Sequence, residues 1–248
     1  MLGEHMKDYL QDIVKNTYTL GVIDTVKIVG TAKETQLHTI SMDNSVVIKA
    51  RFHNTLPDFI GTFGMPNLNK LNTILNIPEY KDDANISVVT KDDNGVKVPS
   101  SINFTNATGD FKNEYRLMNQ ATIEEKLKTP KFKGAQWHVE FEPSVQSIQR
   151  LKFQASANSE ETSFTIKQEK KEIKVYFGDH STHAGNFTFN YDTTGSLTKT
   201  MSYPVAIVLS ILNLSGDKTI KISDNGVMLI TVDSGLGLYE YILPAQTK

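Results

Sequence analysis

Three short stretches of this chain occur twice, in the same order. Ile48-Lys-Ala-Arg-Phe52 returns as Ile173-Lys-Val-Tyr-Phe177, Thr73-Ile-Leu-Asn-Ile77 as Ser210-Ile-Leu-Asn-Leu214, and Asp93-Asn-Gly-Val96 as Asp224-Asn-Gly-Val227. The offsets are 125, 137 and 131 residues. Any one match is what chance supplies in 248 residues. Three in order at nearly constant spacing point to a duplicated unit. The chain must then fold as two similar modules, each long enough for its own core.

The repeat sharpens the reading of local structure. Each Asp-Asn-Gly sits between short β-type runs, such as Ile86–Thr90 before the first and Thr219–Ile222 and Val227–Val232 around the second. Asn and Gly tolerate positive φ, so both predict a hairpin with a type I′ turn. Further strands are predicted over Thr25–Gly30, Leu37–Ser41 and Val46–Phe52, then over Ser163–Gln168 and Glu172–Gly178. In Asn67–Ile77, Leu68, Leu71 and Leu75 share one helical face and Asn69, Asn72 and Asn76 another. Pro204–Leu214 has the composition of a buried strand, but Pro204 at its start and its match to residues 67–77 favour a helix. Helices over Lys7–Lys15 and Pro143–Lys152 open the two copies. Each unit thus reads helix, several strands, helix, hairpin: an α+β fold.

Boundaries follow from composition. Residues 1–5 read as a cloning remnant ahead of Met6, 6–118 as the first domain, 119–134 as a connector and 135–248 as the second domain. The connector is assigned on its charge density and its Pro, and the polar stretch Val98–Phe111 as a decoration of the first unit. No run of apolar residues approaches the roughly 20 needed to span a bilayer as a helix. The start lacks the basic and apolar regions of a signal peptide, so an intracellular protein is expected. The chain has no Cys, which excludes disulfides, thiolate metal sites and cysteine nucleophiles. With 26 Lys+Arg against 28 Asp+Glu it carries no general nucleic-acid-binding charge, though a locally basic face is compatible with that balance.

Asn67-Leu-Asn-Lys-Leu-Asn-Thr-Ile-Leu-Asn-Ile77 followed by Asp82-Asp-Ala-Asn-Ile-Ser-Val88 resembles the DNA polymerase processivity factor, or sliding clamp, of the T-even-type bacteriophages, within the PCNA-like superfamily. Lys7-Asp8, Ile13-Val-Lys-Asn16 and Gln149-Arg-Leu-Lys152 add to the likeness. Order and spacing are similar over most of residues 7–245, whereas Val98–Gly134 matches poorly and the last helix has no Lys or Arg. The resemblance implies a DNA-clamp fold of two domains, each with two helices on antiparallel sheet. It also implies a homotrimeric ring around duplex DNA that tethers the replicative polymerase, an ATP-dependent loader to open it, no enzymatic activity and no cofactor. The setting implied is DNA replication in the cytoplasm of an infected bacterium.

A clamp holds DNA without reading it, through phosphate contacts. On the helices the resemblance assigns DNA contact to Lys7, Lys15, Lys70, Arg150 and Lys152, although a solvated helix face accounts for each lysine on composition alone. Lys126, Lys128, Lys131 and Lys133 form the densest basic cluster, which suits a connector equally well. By analogy with clamps that receive a partner's tail near the connector, Phe132, Tyr239, Tyr241, Leu243 and Pro244 are partner-binding candidates. An ordinary final strand is the competing explanation for the last four. Trp137 reads as a core anchor.

Asp179-His-Ser-Thr-His183 is the one arrangement resembling metal ligands, but it lacks a helical register, and a polar loop explains it better. Asp82-Asp83 and Asp92-Asp93 adjoin turns, and turn chemistry suffices for them. No phosphate-binding loop, dinucleotide fingerprint or nucleophile elbow is present. Two other classes share the β-rich, Cys-free composition: a structural virion protein and a β-sandwich ligand-binding module. The first gives no reason for cations on paired helices, and the second requires strands at 67–77 and 204–214.

Overall fold

A computed structural model describes residues 2–93, 95–128, 132, 134–179 and 183–246, with the backbone alone for residues 2–5. The chain divides into two compact units, Met1–Pro130 with Ser234–Tyr239, and Lys131–Asp233 with Glu240–Lys248. The return of Ser234–Tyr239 to the first unit was not legible in the sequence.

Unit 1 begins with α1 (Leu2–Asn16), then β1 (Val26–Gly30), β2 (Thr35–Ile40), β3 (Val47–Phe52), β4 (Gly61–Met65) and α2 (Leu68–Leu75). It continues with β5 (Asn85–Asp93), β6 (Val96–Thr105), β7 (Lys112–Arg116) and α3 (Gln120–Lys126). The strands form two antiparallel arrays, β4-β1-β2-β3 and β5-β6-β7. Alternation decides the faces: Val26, Ile28, Leu37, Ile48 and Ala50 are buried on one side, while Lys27, His38 and Lys49 point to the other. Helix α1 packs on α2 and β5, burying Leu10 and Ile13 against a core that includes Leu68, Leu71 and Ile74. Asn67 caps α2 by accepting from the Lys70 N–H at 3.1 Å.

Unit 2 holds β8 (Val139–Phe141), α4 (Val145–Ala157), β9 (Ser163–Glu169), β10 (Glu172–Phe177), β11 (Gly185–Asn190) and β12 (Met201–Pro204). After them come α5 (Val205–Leu212), β13 (Asp217–Ser223), β14 (Val227–Asp233) and the end of β15 (Gly237–Pro244). Its strands run β11-β10-β9-β12 in one array and β8-β13-β14 in another. Helix α4 lies along β11 and packs on α5. The apolar α5 buries Ile207, Val208, Ile211 and Leu212, which supports the helical reading of residues 204–214.

Several expectations change. The backbone of residues 2–5 continues α1. The stretch from Val98 is no decoration: β6 is the middle strand of its array, with Ile102 and Phe104 fully buried. The stretch read as a connector carries α3, capped by Asn119, which accepts from the Thr122 N–H at 2.9 Å. Its Ile123 is fully buried against Gly64, where an added Cβ would come within 2.6 Å of the Ile123 side chain. The hairpin β13–β14 closes on the pair Ser223–Val227, leaving a three-residue loop whose positive φ falls on Gly226 at 78°. That is a type I turn completed by a left-handed Gly, not type I′. The first hairpin turn contains Asn94, which lies outside the described residues.

The duplication itself persists with one repair. Element order pairs α2 with α5 and the β5–β6 hairpin with β13–β14, as the sequence matches do. It pairs β2 with β10 and β3 with β11, however, so the match of Ile48–Phe52 to Ile173–Phe177 is one strand out of register. Alternating β-branched and charged residues look alike in neighbouring strands, which is why that match misled.

Candidate nucleic-acid and partner surfaces

The helix-borne cations do not form one class. Lys7 is half-buried, and its ammonium donates to the carbonyls of Tyr80 and, at 2.8 Å, Lys81. It caps the short helical turn Pro78–Tyr80 rather than offering a free charge, and it is withdrawn from the DNA-facing set. Lys15 is exposed in the last turn of α1, four residues on from exposed Gln11. Lys70 is exposed in the first turn of α2. A cation at a helix N-terminus opposes the helix dipole, so this charge does nothing for the helix that carries it. The Tyr18 hydroxyl donates to Asn69 Oδ1 at 2.8 Å and ties the chain after α1 to α2.

On α4, Ser147 and Leu151 face inward while Gln149 and Phe153 face out. At 100° per residue, Arg150 and Lys152 stand about 200° apart, on the two flanks of that outer face. Both are half-buried. Arg150 donates to the Tyr191 hydroxyl at 3.3 Å, on the side of α4 that lies along β11. Phe153 is 63 % exposed and Tyr191 56 %, so this flank is aromatic as well as cationic. Helix α5 leaves Ala206 and Asn213 outside and no charge.

The partner candidates separate in the same way. Tyr239, Tyr241 and Leu243 are fully buried. They alternate inward along β15 and belong to the core, as the competing explanation required. Pro244 is exposed at the strand's end. Phe132 is half-buried, its ring centre 6.3 Å from that of Trp137. Lys126 and Lys128 are exposed, whereas Lys131 and Lys133 lie outside the described residues.

A groove in unit 1 was missed. It has a volume of about 400 Å³, and its lining includes Ile40, Met42, Leu127, Lys126, Lys128 and Asp24. Met42, in the turn between β2 and β3, is 99 % exposed. An apolar side chain fully in water beside a concave wall is the signal that could have been weighed, but Ser41-Met-Asp-Asn-Ser45 reads as plain turn text.

Among the described residues no group of three or more His, Cys, Asp or Glu could hold a metal. His180 of the His-x-x-His pattern lies outside them, and His183 is exposed. Asp92 accepts from the Gly95 N–H at 2.9 Å, which is turn chemistry. No described helix is long and apolar enough to cross a membrane.

No protein-family model matches the chain, and no curated protein sequence does. Solved structures do. The PCNA of A. fulgidus, solved with the C-terminal region of FEN-1 bound, superposes with a TM-score of 0.70 over 100 % of this chain and 97 % of its own, at 14 % identity. The chain has the sliding-clamp fold. The PCNA of Entamoeba histolytica gives 0.66 over 98 % and 95 % at 11 % identity. The Thermococcus kodakaraensis PCNA gives 0.65 over 96 % and 97 % at 11 % identity.

Proposed function

We propose that this chain is a replicative sliding clamp: a non-enzymatic homotrimer that closes around duplex DNA and tethers the polymerase. The observation that carries the ring is one strand joint whose equivalent positions elsewhere in the chain are open edges. The opening residues of β15, the last strand of the second repeat, lie beside β3 in unit 1. Their equivalents are β7, the last strand of the first repeat, and β11, the counterpart of β3. Both are edge strands. The same joint made between chains would add β7 of one copy to β11 of the next, covering both edges. A head-to-tail contact of this kind closes when its rotation permits, and two modules in three copies make six. Phe153 and Tyr191 stand beside β11 and supply apolar surface for the joint.

DNA would be held weakly by Lys15, Lys70 and the flanking Arg150 and Lys152, with retention coming from enclosure. Opening the ring falls to an ATP-dependent loader, and the resemblance to T-even-type clamps supports a phage-infected bacterial cytoplasm as the setting. The groove beside Met42, with its apolar wall of Ile40 and Leu127, is the partner's docking place, and the neighbour solved with the C-terminal region of FEN-1 supports a protein tail as the partner. The test is topological. Threaded onto a linear duplex whose ends are then blocked, the protein should survive a wash in about 1 M salt, where phosphate contacts are screened. It should leave when the duplex is cut. Loss in the wash before cutting contradicts enclosure.

A further inference from the structure

Helix α2 turns Leu68, Leu71, Ile74 and Leu75 inward and leaves Asn69, Lys70, Thr73 and Asn76 exposed, with Asn72 half-buried. At 100° per residue Asn72, Asn76, Asn69 and Thr73 fall within about 100° of arc, and Lys70 stands about 60° beyond Thr73. Asn is among the poorer helix formers, because its side chain competes for the backbone. Asn67 serves the helix as its cap, and Asn76 closes the last turn by donating to the Asn72 carbonyl at 2.7 Å. Asn69 and Asn72 cap nothing. At their equivalents, 137 residues on, α5 carries Ala206 and Leu209, whereas the closing Asn76 returns as Asn213. The fold therefore asks for the last asparagine and not for the other two.

Both carboxamides are nevertheless fixed. The Tyr18 hydroxyl donates to Asn69 Oδ1 at 2.8 Å. The Asn76 amide, whose NH2 is set by the Asn72 carbonyl, also donates to Asn72 Oδ1 at 3.0 Å. A carboxamide carries its oxygen and its NH2 on opposite arms, so both NH2 groups are directed away from these contacts. Neither has a partner among the described residues.

We propose that Asn69 and Asn72 are donor-only contacts to phosphates of the encircled duplex, and that Tyr18 and Asn76 hold them in that state. This rests on the clamp reading and on α2 facing the DNA. An asparagine that presents both arms pairs with adenine through one acceptor and one donor. With the oxygen turned to Tyr18 or Asn76, only N–H bonds face outward, and a phosphate oxygen is the acceptor that suits them. The hold is thereby blind to sequence. One turn apart, the two Cβ atoms stand about 5–6 Å from each other, within reach of neighbouring phosphates on one strand. A neutral donor releases no counterion, so these contacts add affinity without adding to the salt dependence that Lys70 brings. Tyr18 touches no DNA and is a positioning residue.

The test is fluorescence anisotropy of the full chain on a duplex of about 30 base pairs across a salt series, with thermal melting alongside. N69A/N72A should bind at least about fivefold more weakly, with an unchanged slope of log affinity against log salt. It should melt no lower than the native chain, since Ala favours the helix. K70Q should instead lower the slope. Y18F should weaken binding by the factor that N69A does, and N69A should add nothing in the Y18F chain; additive losses overturn the role of Tyr18. Native affinity in N69A/N72A with a lower slope in K70Q overturns the inference while leaving α2 on the DNA. Native behaviour in both variants, or a native chain with no measurable affinity, overturns it too. Retention on the end-blocked duplex then decides separately whether the clamp reading stands.

Discussion

Asp12 Oδ2 accepts the hydroxyl of Tyr239 at 2.8 Å, and the Ser234 hydroxyl reaches the same oxygen at 3.1 Å. Both donors lie in the segment Ser234–Tyr239 that joins unit 1, so this carboxylate fastens that segment to α1. Burial raises the Asp12 pKa, and the bonds from Tyr239 and Ser234 only partly offset it. The native chain thus holds the proton more tightly than the unfolded one. The contribution is fully present below the unfolded carboxyl value of about 3.9 and is lost as pH rises through the native value. Glu169, held down to about 2 chiefly by Lys174, runs the opposite way, so the total profile is a mixture. The informative quantity is the difference between native and D12N chains. Denaturant titrations between pH 4 and 7 should show the native chain losing stability relative to D12N as pH rises.

Ile123 meets Gly64 with no room for a methyl group. G64A should push α3 off the strand, costing about 1–3 kcal/mol through overpacking. I123A should cost about 2–5 kcal/mol by leaving a cavity. Limited proteolysis should cut within residues 120–128 faster in both variants, and an unchanged cleavage map would argue against the docked helix.

Lys170 occupies the first position of the two-residue turn between β9 and β10 with φ 57°, a conformation that suits glycine. K170G should raise stability by about 0.5–1 kcal/mol, the relief of strain exceeding the entropy of the glycine. Chemical denaturation of unit 2's transition reads it directly.

Lys7 and Lys15 stand two turns apart on one helix and should behave differently. Removing the Lys15 charge in K15Q should reduce the slope of log affinity against log salt for a 30-base-pair duplex by about 0.9 for each phosphate that Lys15 neutralises. K7M should leave that slope alone and lower stability by about 1–2 kcal/mol, because two carbonyls lose their donor. Fluorescence anisotropy and thermal melting separate the two effects.

Phe153 on α4 is exposed beside β11. F153D should melt like the native chain and shift association toward monomer at least tenfold. Unchanged association would remove α4 from the joint.

Much of the fold was legible because its signals are local. Period-two alternation marks β1, β2 and β3, and the Leu and Asn faces of residues 68–76 mark α2. The apolar α5 was recoverable only through Pro204 at its start and its likeness to α2, since a helix buried on most sides has no face to read. What failed was non-local. Nothing in Lys112–Arg116 or Gly185–Asn190 distinguishes an edge strand from a loop. The inward alternation of Tyr239, Tyr241 and Leu243 was visible, but aromatic residues near a chain's end suit a docking site as well as a core. Arg150 and Lys152 were grouped by proximity in sequence, although two residues apart on a helix means opposite flanks. The groove beside Met42 needs β2, the turn after it and α3 together, and no spacing in the sequence announces that meeting.

Light scattering across a wide dilution series tests the closed ring most directly. Expected is a stable species at three times 27.7 kDa, falling apart only at high dilution and sooner in F153D. A mass that remains at one chain at every concentration, or that stops at two, contradicts the homotrimeric clamp.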